Sequence, residues 1–201
     1  MVLKETLAYY TVDDGEAFCT FLDAKKAFDR VDYCKLFPEL MKRDIHPLYL
    51  RLMSYMPIVM YVLVGIGMVA TFRAIDGVKQ GGIIIPALFC VYLDSLLLAL
   101  SRTRVGCFIG DIYVGALAYA GDVTLIAPTA RTMRYMLHVC EDISREFCVT
   151  FNAAKSPCVV VSTKPERYSE SMEFSINCKK IVFSDEYVHI FIRKHNYKEY
   201  R

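Results

Sequence analysis

Ala17 to Leu22 is an apolar run of Ala, Phe, Cys, Thr, Phe and Leu that ends on a carboxylate, Asp23, and this junction constrains the rest of the chain. The residue types suit a strand, and a short apolar run bounded by charge reads as one aimed into a core. Asp23, the first charge beyond it, then sits on a rigid element. The same position also suits a plain turn cap, because Asp accepts backbone N–H bonds at such boundaries. Spacing alone leaves both readings open.

A chain of 201 residues is one domain, or one and a fraction, with enough length to bury a substantial core. The net charge of +2 and pI of about 8.1 are too mild to argue for a nucleic-acid partner, which usually announces itself as a clear basic excess on one face. The 8 cysteines fall singly, with no Cys-x-x-Cys pair and no secretory leader, so reduced core thiols of an intracellular protein are expected. The 4 histidines (His46, His138, His189, His195) are scattered, which disfavours a zinc site.

Ser54 to Phe72 tests whether the chain enters a membrane. The run is uncharged over roughly 19 residues, near the length that spans a bilayer. Pro57, Gly65 and Gly67 interrupt it, and its Val and Ile suit two short strands joined by a turn, so a buried hairpin without stable membrane association is expected.

Along the chain, Met1 to Glu16 reads as a lead-in, a helix end and a turn. Leu36, Leu40, Met41 and Ile45 fall at helical spacing, with Pro38 early enough to be tolerated, and Leu48 to Met56 reads as a second apolar helix beyond the Ile45-His46-Pro47 turn. A glycine-rich loop, Gly77-Val78-Lys79-Gln80-Gly81-Gly82, precedes Pro86 and an apolar helix over Ala87 to Leu100. Glycines allow close approach of backbone to a ligand, Lys79 and Gln80 offer donors, and Pro is harmless in a first helical turn; a plain loop entering a buried helix fits equally well. Two apolar runs flank Gly121-Asp122 and read as a hairpin. Met133, Met136, Leu137, Cys140, Ile143 and Phe147 line one side of an amphipathic helix from Thr129 to Phe147. Phe151 to Ser156 is a turn before a strand over Cys158 to Ser162, and a further hairpin centres on Asn177-Cys178.

Three of these stretches carry a resemblance. Phe21-x-Asp23-x-x-Lys26-Ala27-Phe28-Asp29-x-Val31 resembles motif A of reverse transcriptases in the form found in non-LTR, LINE-type retrotransposons. Gly77-Val78-x-Gln80-Gly81, with Pro86 five residues on, resembles motif B, although Ile85 replaces the usual Ser. Tyr119-Ala120-Gly121-Asp122 resembles motif C, Tyr-Ala-Asp-Asp, with Gly121 where the first carboxylate belongs. Phe151 to Ser156 with the strand Cys158 to Ser162 resembles motif D more weakly, and Ser184 to Ile190 faintly resembles the next strand of the family.

The resemblance implies an α+β polymerase palm, an antiparallel sheet with helices mainly on one face, over residues 17–163. It makes residues 1–16 a remnant of the fingers or their lead-in, and residues 164–201 a hairpin and the truncated start of a thumb, so that fingers and thumb are largely missing. It implies an RNA-directed DNA polymerase using dNTPs on an RNA template and DNA primer, intracellular and nuclear if it acts as the family does. Asp23 and Asp122 would be catalytic and bind Mg²⁺, and Lys155 would be the acid that protonates pyrophosphate, against the alternative of a solvated turn lysine. Phe28 would wall off the sugar 2′ position, and Lys79, Gln80 and Gly81 would meet nucleotide and template. Two Mg²⁺ ions are expected, with the site incomplete at Gly121, because glycine supplies no side-chain oxygen to bridge them. A rate loss of about 10² to 10³ or more is expected from that gap. The alternative is a non-catalytic, retrotransposon-derived fragment that only binds nucleic acid or protein.

Overall fold

A computed structural model of the chain describes residues 2–12, 15–25, 31–51, 53, 85–119, 122–162, 172–184, 186–187 and 192–193. Its centre is β1 (Glu16–Lys25), with three segments paired along its two edges. On one side runs β5 (Asp122–Ala127), antiparallel from Phe18↔Ala127 to Asp23↔Asp122, with β4 (Ala116–Tyr119) beyond it. On the other side β7 (Cys158–Ser162) pairs with residues Glu16 to Thr20, and β6 (Thr150–Phe151) pairs with Ala24 and Lys25. Every pairing in this five-stranded sheet is antiparallel.

Because side chains alternate along a strand, β1 feeds two cores. Phe18 and Leu22, with Val123, Leu125, Ala127, Cys158 and Val160, join the larger one. Three helices cover that face: α2 (Tyr33–Met41), α3 (Ile85–Arg102) and α4 (Ala130–Glu146). Ala17, Cys19 and Phe21, with Ile126, Val159 and Val161, face the other way onto α1 (Val2–Tyr10) through Leu3 and Leu7. Among the described residues the expectation of helices mainly on one face is met. The lead-in is more than a helix end, since α1 is a full helix that closes the second core. The Tyr10 hydroxyl also fixes it to the small hairpin of β2 (Phe108–Ile109) and β3 (Ile112–Tyr113), accepting from the Phe108 N–H at 2.7 Å.

Local signals explain several boundaries. Asp32 caps α2 by accepting from the Cys34 N–H at 2.8 Å, and Thr129 caps α4 by accepting from the Thr132 N–H at 3.2 Å. Met133, Met136, Leu137 and Cys140 of α4 are buried, as their spacing requires. Pro38 lies inside α2 rather than in its first turn, and the helix ends three residues later. Gly15 lets the chain turn from α1 into β1, because a Cβ there would lie 2.2 Å from the Tyr10 carbonyl oxygen. Beyond β7, β8 (Ser175–Ile176) and β9 (Lys179–Lys180) form the expected hairpin. Asn177 and Cys178 at its tip have φ of 53° and 58°, the left-handed conformation that a two-residue hairpin turn needs. A last pair, β10 (Glu186–Tyr187) and β11 (Ile192–Arg193), follows.

All eight cysteines are free thiols, but only Cys19, Cys107, Cys140 and Cys158 are core residues; Cys34 and Cys90 are exposed on helices, and Cys148 and Cys178 are exposed in turns. Among the described residues no helix is long and apolar enough to cross a membrane. The Ser54 to Phe72 run lies outside them.

Candidate active site

The ladder between β1 and β5 changes character along one face. Cys19 opposite Ile126 and Phe21 opposite Thr124 are buried, whereas the next pair on that face, Asp23 opposite Asp122, ends the ladder with a half-buried and an exposed carboxylate. Directly opposed residues of an antiparallel pair share a face, so both carboxylates emerge from the same side of the sheet.

Hydrogen bonding settles which kind of cross-strand pair their backbones form. The Asp23 N–H donates to Ser156 Oγ at 3.1 Å, and the Asp23 carbonyl accepts from the Asn152 N–H at 2.8 Å, so both backbone groups point away from β5. On β5, Ile126 donates to the Gly115 carbonyl at 2.7 Å, and by alternation Asp122 also directs its backbone toward β4. The Asp23/Asp122 pair is therefore of the non-hydrogen-bonded kind, in which Cα atoms approach to about 4.5 Å. Like charges placed so are destabilising by themselves.

Asp23 is held from its other edge by an interruption in the sheet. Strand β7 ends its pairing at Thr20 and β6 begins at Ala24, which leaves the outward groups of Phe21 and Asp23 without a partner strand. The connecting segment supplies partners instead: the Pro157 carbonyl accepts the Phe21 N–H at 3.0 Å, Ser156 Oγ accepts the Asp23 N–H, and the Asn152 N–H donates to the Asp23 carbonyl. Between Asn152 and Ser156 the chain makes a single 3-10 turn, Ala153–Lys155. Ser156 is fully buried and its hydroxyl donates to the Asn152 carbonyl at 2.8 Å, closing the turn on itself. Lys155 is exposed on this turn, one residue from Ser156. The β8–β9 hairpin braces it, since Asn177 Nδ2 donates to the Phe151 carbonyl at 3.1 Å.

The structure thus brings Asp23 and Asp122 together and puts Lys155 on the turn that holds Asp23. Phe28, Lys79, Gln80, Gly81 and Gly121 lie outside the described residues. Asp122 is the first residue of β5 and pairs with Tyr119, rather than sitting in the turn itself. Ser156 and Asn152 were not singled out from the sequence. Their only local mark is that Asn and Ser side chains favour bonds to nearby backbone, and nothing local says which backbone.

Two adjacent carboxylates suit a hard divalent cation. Mg²⁺ is commonly bound through one or two protein carboxylates, the remaining positions going to water and substrate phosphates. Among the described residues no group of three or more His, Cys, Asp or Glu side chains is placed to hold a metal ion. The donor set fits Mg²⁺ held partly by a substrate, and not a closed protein cage.

A family model described as reverse transcriptase (RNA-dependent DNA polymerase) matches residues 4–189. The chain is also similar to the retrovirus-related Pol polyprotein from type-1 retrotransposable element R2 of Nasonia vitripennis, at 30% identity over 128 residues, which is 60% of this chain and 12% of that protein. The chain thus spans about an eighth of the length of that relative, by the 12% covered.

Proposed function

Because the chain belongs to the reverse transcriptase (RNA-dependent DNA polymerase) family, we propose that its sheet is the palm of a non-LTR, LINE-type enzyme and that Asp23 and Asp122 are its metal-binding carboxylates. The observation that carries this reading is their position as a cross-strand pair at the open end of β1 and β5. A like-charged pair in that position weakens the fold unless something offsets it, and a divalent cation shared by both does so. The palm runs over residues 17–163, with residues 164–201 forming the hairpin and following segment.

In this reading Asp23 and Asp122 present hard oxygen ligands, and Mg²⁺ bound there would stabilise charge in an in-line displacement at phosphorus. Lys155 Nζ gives a proton to the departing pyrophosphate, from a turn tied to the Asp23 backbone. Phe28 contacts the dNTP sugar, and Lys79, Gln80 and Gly81 contact nucleotide and template, roles that follow the family motifs at those positions. Template RNA, DNA primer and dNTPs are the partners, and the nucleus the place of action. Gly121 departs from the motif where a second hairpin carboxylate belongs, so we read this copy as a palm that lacks one metal ligand and is inactive in two-metal transfer.

The test is to graft residues 17–190 into the fingers and thumb of an active relative and follow Mg²⁺-dependent dNTP incorporation on an RNA template. Little or no extension is expected with Gly121, recovery with Gly121→Asp, and loss again on adding Asp23→Ala. Recovery that survives Asp23→Ala would overturn the assignment of the site.

A further inference from the structure

We propose that Ser156 is a positioning residue for Asp23: its hydroxyl holds the stretch of β1 that lacks a partner strand on the edge away from β5, and so keeps the Asp23 carboxylate in register with Asp122. The inference rests on the metal-binding reading above and concerns a residue that the reading does not use.

The argument begins with backbone accounting. Buried backbone N–H and C=O groups need partners, and for most of β1 those partners are other strands. At Asp23 the outward N–H meets a side-chain oxygen instead, Ser156 Oγ at 3.1 Å. That makes the contact unusual in one respect: a carbonyl partner cannot be removed by substitution, whereas this acceptor belongs to a single side chain. The hydroxyl serves twice, because it also donates to the Asn152 carbonyl at 2.8 Å. Asn152 in turn gives its N–H to the Asp23 carbonyl at 2.8 Å. Ser156 therefore closes a small ring of bonds running from the Asp23 N–H through the hydroxyl to Asn152 and back to the Asp23 carbonyl.

Burial gives this ring its influence. Ser156 has no exposed surface, so water cannot take over its bonds when the oxygen is removed. Asp23 is the last residue of its ladder with β5, where strand ends are free to splay. With the β5 edge contributing only a non-hydrogen-bonded pair at this point, the clasp from Asn152 and Ser156 carries both backbone bonds of Asp23. Supporting groups around metal ligands set ligand orientation, and their removal commonly weakens metal binding. Since Lys155 sits inside the same ring of residues, the clasp also fixes how far its turn stands from Asp23.

The experiment measures Mn²⁺ binding to the 201-residue chain by electron paramagnetic resonance titration, with Mn²⁺ as the probe because it takes oxygen ligands as Mg²⁺ does. Asp23→Asn reports whether the carboxylate pair binds at all. Ser156→Ala removes one oxygen without enlarging the side chain, and circular dichroism checks its fold. Ser156→Thr restores a hydroxyl, and Thr129→Ala, which uncaps α4 far along the chain from Asp23, reports what lost stability alone does to binding. The expected result is a loss of affinity of about tenfold or more for Ser156→Ala, with Ser156→Thr and Thr129→Ala near the parent. Parent-like affinity in a folded Ser156→Ala, with binding abolished by Asp23→Asn, overturns the positioning role and leaves the metal reading standing. A weakening of Ser156→Thr equal to that of Ser156→Ala also overturns it. Binding by the parent that does not depend on Asp23, or no binding, overturns the metal reading and this inference with it.

Discussion

Asp23 and Asp122 oppose each other across β1 and β5 as a non-hydrogen-bonded pair, at the polar end of a face whose preceding pairs, Phe21/Thr124 and Cys19/Ile126, are buried. Opposed like charges across a strand pair carry a cost when both are ionised.

That cost predicts a trade between stability and binding. In metal-free buffer Asp122→Asn should raise the free energy of unfolding, by a few tenths to about 1 kcal/mol, since opposed like charges cost that much across a strand pair. Urea melts in EDTA and in excess Mg²⁺ measure it. The variant should lead in EDTA and lose its lead in Mg²⁺; a destabilised variant in EDTA would show that the pair is not repulsive.

Gly121→Asp should restore a ligand with little harm to folding, because Asp is well tolerated in turns. In the grafted palm, dNTP incorporation should rise by about 10² or more over the Gly121 graft, the scale of one preorganised electrostatic group. A folded graft that stays inactive would put the defect elsewhere, with Ile85 the first position to revert to Ser.

The larger core should be most sensitive at Phe18. It is fully buried in the middle of β1, and its ring meets Phe174 edge to face at a centroid distance of 5.8 Å. Phe18→Ala should cost about 3–5 kcal/mol in equilibrium unfolding, as truncation of a buried aromatic does. A cost under about 1 kcal/mol would mean that the segment bearing Phe174 does not pack on the sheet as described.

The buried thiols predict an alkaline limit. Burial pushes the Cys107 and Cys158 thiols up from an ordinary value of 9.0 to about 12, and raises Cys19 and Cys140 as well. Between about pH 9 and 12 the unfolded chain has lost these protons while the folded chain keeps them, so stability falls as pH rises through that window and is fully present below it. Denaturant melts from pH 7 to 11 should show the decline starting near pH 9. At pH 8 a maleimide should modify the exposed Cys34, Cys90, Cys148 and Cys178 quickly and the other four only on unfolding.

Much of this protein was legible in its sequence because the decisive signals are local. The apolar run before Asp23 gave β1, the stripe from Met133 to Phe147 gave α4 almost to the residue, and Asn177-Cys178 gave a hairpin tip, each from side-chain period or turn chemistry over a few neighbours. The motifs brought Asp23 and Asp122 to notice, and Gly121 between them, as residue types in order.

Tertiary structure alone decided what holds them. That Asp23 meets Asp122 without shared hydrogen bonds follows from strand register, which depends on which face of β1 each core claims. That α1 is a whole helix follows from a second apolar face needing cover, a demand that residues 1–16 do not display on their own. And the clasp of Ser156 and Asn152 on Asp23 joins residues separated by more than 120 positions, because two strands stop short of each other along one edge and leave backbone groups that only the intervening turn can reach.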